Sequence, residues 1–252
     1  MNKGKTLLQM KLIGLPVPDL ILLEEQLDNR SITKLNNFVK TKPVTTRFAV
    51  RSSSHVEDGK EASFAGLFET FLNVCSRQLH NAILSCFISK EKQIVKSYKE
   101  AVFNSLEKEG MDVIVQVMCD ADVSGVMFSV NPITKEKQYV IECVYGLCNQ
   151  LVSGLIEGDQ IIYNSFTEEI LSYKVFFQKE YLGLGECSGE LKNFPVPMLN
   201  QSRKKVSGKQ ISLLTKTAAK IQQLLQTEID VEWCFVKDKL FILQARPLTG
   251  LT

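Results

Sequence analysis

Near the end of the chain, two alternating segments flank a short polar turn, and this pairing limits the possible folds more than any other feature. Asp230-Val231-Glu232-Trp233-Cys234-Phe235-Val236 places Val231, Trp233 and Phe235 on one side of a strand and Asp230 and Glu232 on the other, because strand side chains alternate with period two. In Leu240-Phe241-Ile242-Leu243-Gln244-Ala245-Arg246, the set Phe241, Leu243 and Ala245 shares a face, with Gln244 and Arg246 opposite. Matching apolar face to apolar face fixes the register. A two-residue turn at Lys237-Asp238 pairs Glu232 with Leu243, polar against apolar. A three-residue turn over 237–239 pairs Glu232 with Gln244 and Asp230 with Arg246, and is the expected one. The hairpin then carries two carboxylates, an amide and a guanidinium on one side. Hard oxygen donors with an arginine beside them suit a magnesium–phosphate site. A cross-strand Asp230–Arg246 salt bridge on an ordinary surface accounts for the same spacing equally well.

A second polar group opens the same two readings. Arg47-Phe48-Ala49-Val50-Arg51 reads as a strand entering Ser52-Ser53-Ser54-His55, and Ser63-Phe64-Ala65-Gly66 follows. Guanidinium, hydroxyls and glycine-permitted N–H groups fit phosphate, although no GxxxxGK[ST] motif is present; an ordinary polar loop is the alternative. Elsewhere, helices are expected over 3–14, 21–39, 79–106 and 211–226. Strands are expected over 68–74, 113–118, 126–130, 139–144, 160–164, 170–177, 230–236 and 240–245. A helix-rich first half and a strand-rich second half imply an α+β fold in two lobes, 1–110 and 111–252.

Composition narrows the class of protein. Thirty Lys+Arg against 28 Asp+Glu give a net charge of +2, so no bulk field recommends nucleic acid or a membrane surface as a partner. No apolar run reaches the roughly 18–20 residues of a spanning helix, and Lys11, Pro16 and Pro18 interrupt any secretory leader. The seven cysteines form no CxxC pair, and only His55 and His80 could assist them, so zinc or a disulfide framework is not expected. The expected location is the cytoplasm.

Several segments together resemble a known family. They are Val50-Arg51-Ser52-Ser53-Ser54 through Ala62-Ser63-Phe64-Ala65-Gly66, then Glu69-Thr70-Phe71-Leu72-Asn73-Val74 and Val115-Gln116-Val117-Met118. Ser124-Gly125-Val126-Met127-Phe128-Ser129-Val130-Asn131-Pro132, Asp230-Val231-Glu232-Trp233 and Leu243-Gln244-Ala245-Arg246-Pro247 follow, with Lys3-Gly4 and Gly14-Leu15-Pro16-Val17-Pro18 at the start. In that order they are similar to the ATP-binding domain of pyruvate phosphate dikinase and phosphoenolpyruvate synthase, a domain that rifampin phosphotransferase also carries. The resemblance implies an ATP-grasp fold with nucleotide in the cleft between two lobes, and ATP and Mg²⁺ as cofactors. It implies that Lys3, Arg51 and Arg246 act on the phosphates, with Arg246 stabilising the transferring group, and that Gly66 and Thr70 line the phosphate loop. Gln116, with backbone groups of Val117 and Met118, would meet adenine. Glu232 and Gln244 would hold the metal with Asp230 in support, and Glu142 would face the metal or ribose.

The chain departs from the family pattern in places. Asn2 stands where glycine precedes the first lysine, and Gly146-Leu147-Cys148-Asn149 replaces Gly-Leu-Gly-Glu. An initial strand is expected to be missing, and the phosphorylatable-histidine and acceptor domains of full-length relatives do not fit in 252 residues. His55 and His80 lack the context of a phosphocarrier. The implied function is a compact Mg-ATP-dependent phosphotransferase acting on a small-molecule acceptor or on a histidine of a partner protein. An ATP-grasp ligase working through an acyl phosphate, and a non-catalytic nucleotide-binding module, are the alternatives.

Overall fold

The computed structural model describes residues 3–24, 27–54, 70–99, 111–186 and 189–248. Within these ranges the helices are α1 (Lys3–Leu12), α2 (Asn29–Lys40), α3 (Leu79–Lys99), α4 (Asn149–Val152) and α5 (Gly208–Leu225). The strands are β1 (Leu20–Leu23), β2 (Arg47–Ser54), β3 (Thr70–Cys75), β4 (Met111–Val117), β5 (Val123–Phe128), β6 (Gln138–Tyr145), β7 (Asp159–Asn164), β8 (Glu169–Lys174), β9 (Glu180–Leu184), β10 (Leu191–Pro195), β11 (Ile229–Val236) and β12 (Lys239–Pro247). They divide into two compact units. The first comprises 1–8, 18–118 and 185–190, and the second 9–17, 119–184 and 191–252.

The first unit holds an antiparallel sheet in the order β1-β4-β2-β3. Strand β4 lies at its centre, paired with both β1 and β2, so Met111–Val117 joins the first unit rather than the strand-rich half that follows it in sequence. Leu20–Leu23 is a strand and not the start of the helix expected from 21 to 39. A run of four apolar residues gives up its backbone polarity at least cost by pairing with the buried β4, and the helix begins only after it, at Asn29. Asp28 caps α2, its Oδ1 accepting from the Ser31 backbone N–H at 2.8 Å. That hydrogen bonding holds the Asp28 carboxyl below the ordinary carboxylate range, so the cap is intact at neutral pH and is lost only on acidification. One face of this sheet (Phe48, Val50, Val113 and Val115) packs with Leu35, Leu79, Ile83 and Cys86 into a closed core.

The second unit is built on a six-stranded antiparallel sheet, β12-β11-β5-β6-β7-β8, with a separate β9–β10 ribbon. Its apolar face carries Val231, Trp233, Phe235, Met127, Ile141, Ile161 and Ile242, all essentially buried. Helix α5 packs on β11 and β12 and supplies the buried Ile211, Leu214, Ala218 and Ile221. A capping box starts this helix: Ser207 Oγ accepts from Gln210 N at 3.3 Å, while Gln210 Oε1 accepts from Ser207 N at 2.8 Å. Ser207→Ala is expected to cost about 1 kcal/mol, read as a lowered urea midpoint with an unchanged slope.

At the centre of the sheet, Gly125 stands between Trp233 and Cys143, and a Cβ there would lie 1.9 Å from the Glu142 carbonyl oxygen. No side chain fits without separating β5 from β6. Gly125→Ala is therefore expected to destabilise the unit by about 1–3 kcal/mol, measured in the same way. The outer edge of β12 is covered by the Pro-rich segment, whose Pro16 carbonyl accepts from Ile242 N at 2.7 Å.

A buried polar group also ties the second unit together. Asp159 and Lys205 are fully buried and 2.5 Å apart. Asp159 also accepts from Phe176 N (2.9 Å), Lys205 N (3.1 Å) and the Tyr173 hydroxyl (3.1 Å), and the Lys205 ammonium donates to the Phe176 carbonyl at 2.8 Å. The carboxylate and ammonium thus find partners inside, as buried charges require. Burial, with Cys143 and Asp159 nearby, pushes the Tyr173 hydroxyl well above its ordinary range.

Candidate functional site

In the hairpin, Glu232 pairs with Gln244 and Asp230 with Arg246, as expected, but a different turn produces this register. The turn is the two-residue Lys237-Asp238, with φ of 47° and 64°, the left-handed geometry of a tight hairpin. From it the pairs run Val236–Lys239, Phe235–Leu240, Cys234–Phe241 and Trp233–Ile242. A β-bulge between Glu232 and Trp233 then leaves Leu243 as the extra residue. The bulge corrects the faces assigned from sequence. Leu240 and Ile242, not Phe241 and Leu243, share the core side with Trp233 and Ala245, and both are buried.

Directly opposed residues of an antiparallel sheet project to the same side. Following the registers across the second sheet gives one row: Gln244, Glu232, Val126, Glu142, Gln160, Lys174. The neighbouring row is Arg246, Asp230, Phe128, Val140, Ile162. Both lie on the face away from the Trp233 core. Glu232, Val126, Glu142 and Gln160 are all half-buried, whereas the opposite face is sealed. The face opposite α5 thus concentrates oxygen donors, half-buried at Glu232, Glu142 and Gln160 and buried at Gln244 and Asp230. Glu142, inferred from the resemblance alone, shares the row with Glu232, one strand beyond Val126, and accepts from Gln160 Nε2 at 3.4 Å.

Asp230, in the neighbouring row, holds Arg246. Its Oδ2 accepts from Arg246 Nε at 2.8 Å and Nη2 at 2.7 Å, while the Arg246 side chain remains 46% exposed. The guanidinium is oriented by Asp230 and remains partly exposed. The cross-strand salt bridge therefore exists, and it leaves Arg246 accessible to an anion.

Whether Mg²⁺ fits can be judged from the donors. Magnesium binds hard oxygens and usually keeps several waters and phosphate oxygens, with only one or two protein carboxylates. Glu232 and Gln244, adjacent across the strands, meet that requirement, with Asp230 alongside. Among the described residues no cluster of three or more His, Cys, Asp or Glu side chains could hold a metal by itself. The donors therefore suit a cation shared with phosphate oxygens, not a closed protein cage.

The first unit gathers the other candidates in the same manner. Leu22, Ile114, Arg51 and Thr70 form one row, Leu20, Gln116 and Ala49 the next, and Asp112 faces Ser53. All lie on the face opposite the Val113–Val115 core. The start of α1 packs here, with Gly4 N donating to Ser53 Oγ at 3.2 Å. A Cβ on Gly4 would lie 2.4 Å from Leu22 Cδ1, so glycine is what lets Lys3, half-buried, begin the helix against this face. Gln116 is buried and Thr70 exposed. Val117 N donates to the Asp19 carbonyl at 2.7 Å and Met118 N to the Arg47 carbonyl at 2.9 Å. Their N–H groups are thus committed to the protein, and carbonyls are what these residues can offer a ligand. Gly66 and His55 lie outside the described residues, as do 55–69 and 100–110.

The two α/β units, each an antiparallel sheet with a helix-packed core face, fit an ATP-grasp fold. A crystal structure of a Pyrococcus horikoshii protein shares it, with a TM-score of 0.51 at 14% identity, covering 98% of this chain and 92% of that one. The chain belongs to the pyruvate phosphate dikinase, AMP/ATP-binding domain family, whose model matches residues 4–252. A probable phosphoenolpyruvate synthase of Methanocaldococcus jannaschii is 36% identical over 205 residues, 81% of this chain and 17% of that protein. The rifampicin phosphotransferase of Bacillus cereus is 31% identical over 206 residues, 81% of this chain and 23% of that protein. The chain therefore spans only a minor part of these relatives' length. Among the described residues, no helix is long and apolar enough to cross a membrane.

Proposed function

We propose that the chain is the nucleotide-binding part of a Mg-ATP-dependent phosphotransferase, passing a phosphoryl group from ATP to a small-molecule acceptor or to a histidine on a partner protein. The observation that carries this reading is the row Gln244–Glu232–Val126–Glu142 on the sheet face opposite the α5-packed core, beside an Arg246 held by Asp230. Glu232 and Gln244 would hold Mg²⁺ with Asp230 in support, and the bound ion would supply neutralisation of phosphate charge. Arg246, already oriented, would offer its exposed edge to oxygens of the transferring group. Phosphoryl transfer asks little else of a protein than such positioning and neutralisation. Lys3 and Arg51 would add positive charge, and Gly66 and Thr70 would line the phosphate loop. Gln116 and the carbonyls of Val117 and Met118 would receive adenine, whose exocyclic amine is a donor.

The test is ³¹P NMR of the protein with ATP and Mg²⁺, alone and with a fractionated small-molecule extract. The expected result is ATP consumption. AMP and phosphate would mark transfer of the β-phosphoryl group toward a histidine-bearing partner, and ADP with a new phosphoester or phosphoramidate signal would mark direct transfer of the γ-phosphoryl group. ATP left intact with every acceptor offered would overturn the reading.

A further inference from the structure

Asn73 is fully buried in β3 and adopts a left-handed backbone, with φ of 55°, a conformation that asparagine tolerates better than most residues. It stands in a bulge: Phe48 pairs with Val74 and Val50 with Phe71, so Leu72 and Asn73 together face the single Ala49. From there its side chain reaches the turn joining β9 to β10. Its Nδ2 donates to the Glu186 carbonyl at 3.0 Å and to the Glu190 carbonyl at 2.6 Å. The Glu190 carbonyl also accepts from Gly185 N at 3.3 Å, which closes the turn. The Asn73 backbone N–H donates to the Met118 sulfur at 3.1 Å. All of these residues belong to the first unit. Among the described residues the buried Asn73 Oδ1 meets no donor, and the reverse orientation of the carboxamide would set its oxygen against two carbonyls. A buried left-handed residue, a bulge and an orphaned acceptor are local costs of the kind that collect where a ligand is positioned.

We propose that Asn73 is a positioning residue for selection of the nucleotide base, acting through Met118. Its carboxamide grips the β9–β10 turn, and these two contacts keep the bulge in place, with the N–H that holds the Met118 side chain. The Met118 N–H is itself committed to the Arg47 carbonyl. Met118 is therefore fixed through both backbone and side chain, and its carbonyl keeps one direction. The inference rests on the proposed function, in which the carbonyls of Val117 and Met118 receive the exocyclic amine of adenine. Guanine carries an oxo group at that position and would set oxygen against oxygen. An acceptor that cannot turn away rejects such a base, because the mismatch leaves it unpaired. An acceptor free to swing aside discriminates less. The grip of Asn73 on the turn does not itself depend on the proposed function.

Calorimetric titration of the full chain with Mg-ATP and with Mg-GTP compares the wild type with Asn73→Gly and Asn73→Asp. Glycine suits the left-handed backbone but lacks the carboxamide. Aspartate keeps the shape and sets an oxygen where two carbonyls need a donor. Both variants should lose about three- to tenfold of the preference for ATP over GTP, the yield of one hydrogen bond. On the ligand-free protein, hydrogen exchange read by mass spectrometry should quicken in the variants at peptides spanning 180–195 and Met118, and nowhere else. An unchanged preference, or ATP and GTP weakened equally, overturns the base selection. Unchanged exchange at 180–195 overturns the grip on the turn, and faster exchange throughout both variants marks a merely structural residue and overturns the proposal. If the wild type binds neither nucleotide, the proposed function fails and base selection with it, and the exchange result decides the grip by itself.

Discussion

Glu232→Ala is expected to lower Mg-ATP turnover by about 10²–10³-fold, the cost of removing one preorganised charge-stabilising group from a phosphoryl-transfer site, while the protein keeps its fold. Glu232 lies half-buried on the sheet face away from Trp233 and contributes no apolar burial to the core. Removing it would leave Mg²⁺ only the neutral Gln244 oxygen and Asp230, whose Oδ2 is engaged by Arg246, too weak a set to hold the ion among phosphates and waters. Initial rates at saturating Mg²⁺, alongside a thermal melt followed by circular dichroism, check both halves. A fully active variant sinks the metal assignment, and an unfolded one sinks the placement of Glu232 on the face opposite the core.

One residue further on, the expectation reverses. Trp233→Ala should cost about 3–5 kcal/mol of stability, as large core truncations do. Trp233 is fully buried, its ring meets Phe235 edge-on at 5.6 Å between centroids, and Ile242 stands directly across the hairpin. Among the described residues its Nε1 meets no acceptor, so Trp233→Phe loses volume but no hydrogen bond and should be markedly milder. Urea unfolding of the two variants measures the difference. Equal, small effects would mean that the two sides of the hairpin are exchanged.

This opposition of Glu232 and Trp233 was legible in the sequence, because period-two alternation in a half-covered strand reports faces directly. The pairing of Glu232 with Gln244 was legible too, though for an incomplete reason. Lys237-Asp238 lacks the Asn-Gly signal of a tight turn, and no local pattern marks Leu243 as a bulge. The longer turn gave the correct partners for Asp230 and Glu232 and the wrong faces for Leu240 to Leu243. Strand β1 escaped detection because Leu20–Leu23 is apolar at every position, which by itself suits a helix or a buried strand equally. Its partner β4 lies some ninety residues away, beyond the reach of local pattern. The same non-local pairing draws β4 into the first unit, across the point where the texture of the sequence changes. The candidate residues themselves came from motifs. Their gathering into rows, Glu142 beside Glu232 and Thr70 beside Arg51, depends on registers that only the sheets supply.

The central claim is that this chain holds Mg-ATP through the Glu232–Gln244 row. Calorimetric titration of the purified protein with ATP, with and without Mg²⁺, tests it most directly, with Glu232→Ala run in parallel. Saturable one-to-one binding that requires Mg²⁺ in the wild type and is lost or severely weakened in Glu232→Ala is the predicted result. Absence of binding by the wild type, or binding equally tight without the metal and without Glu232, would contradict it.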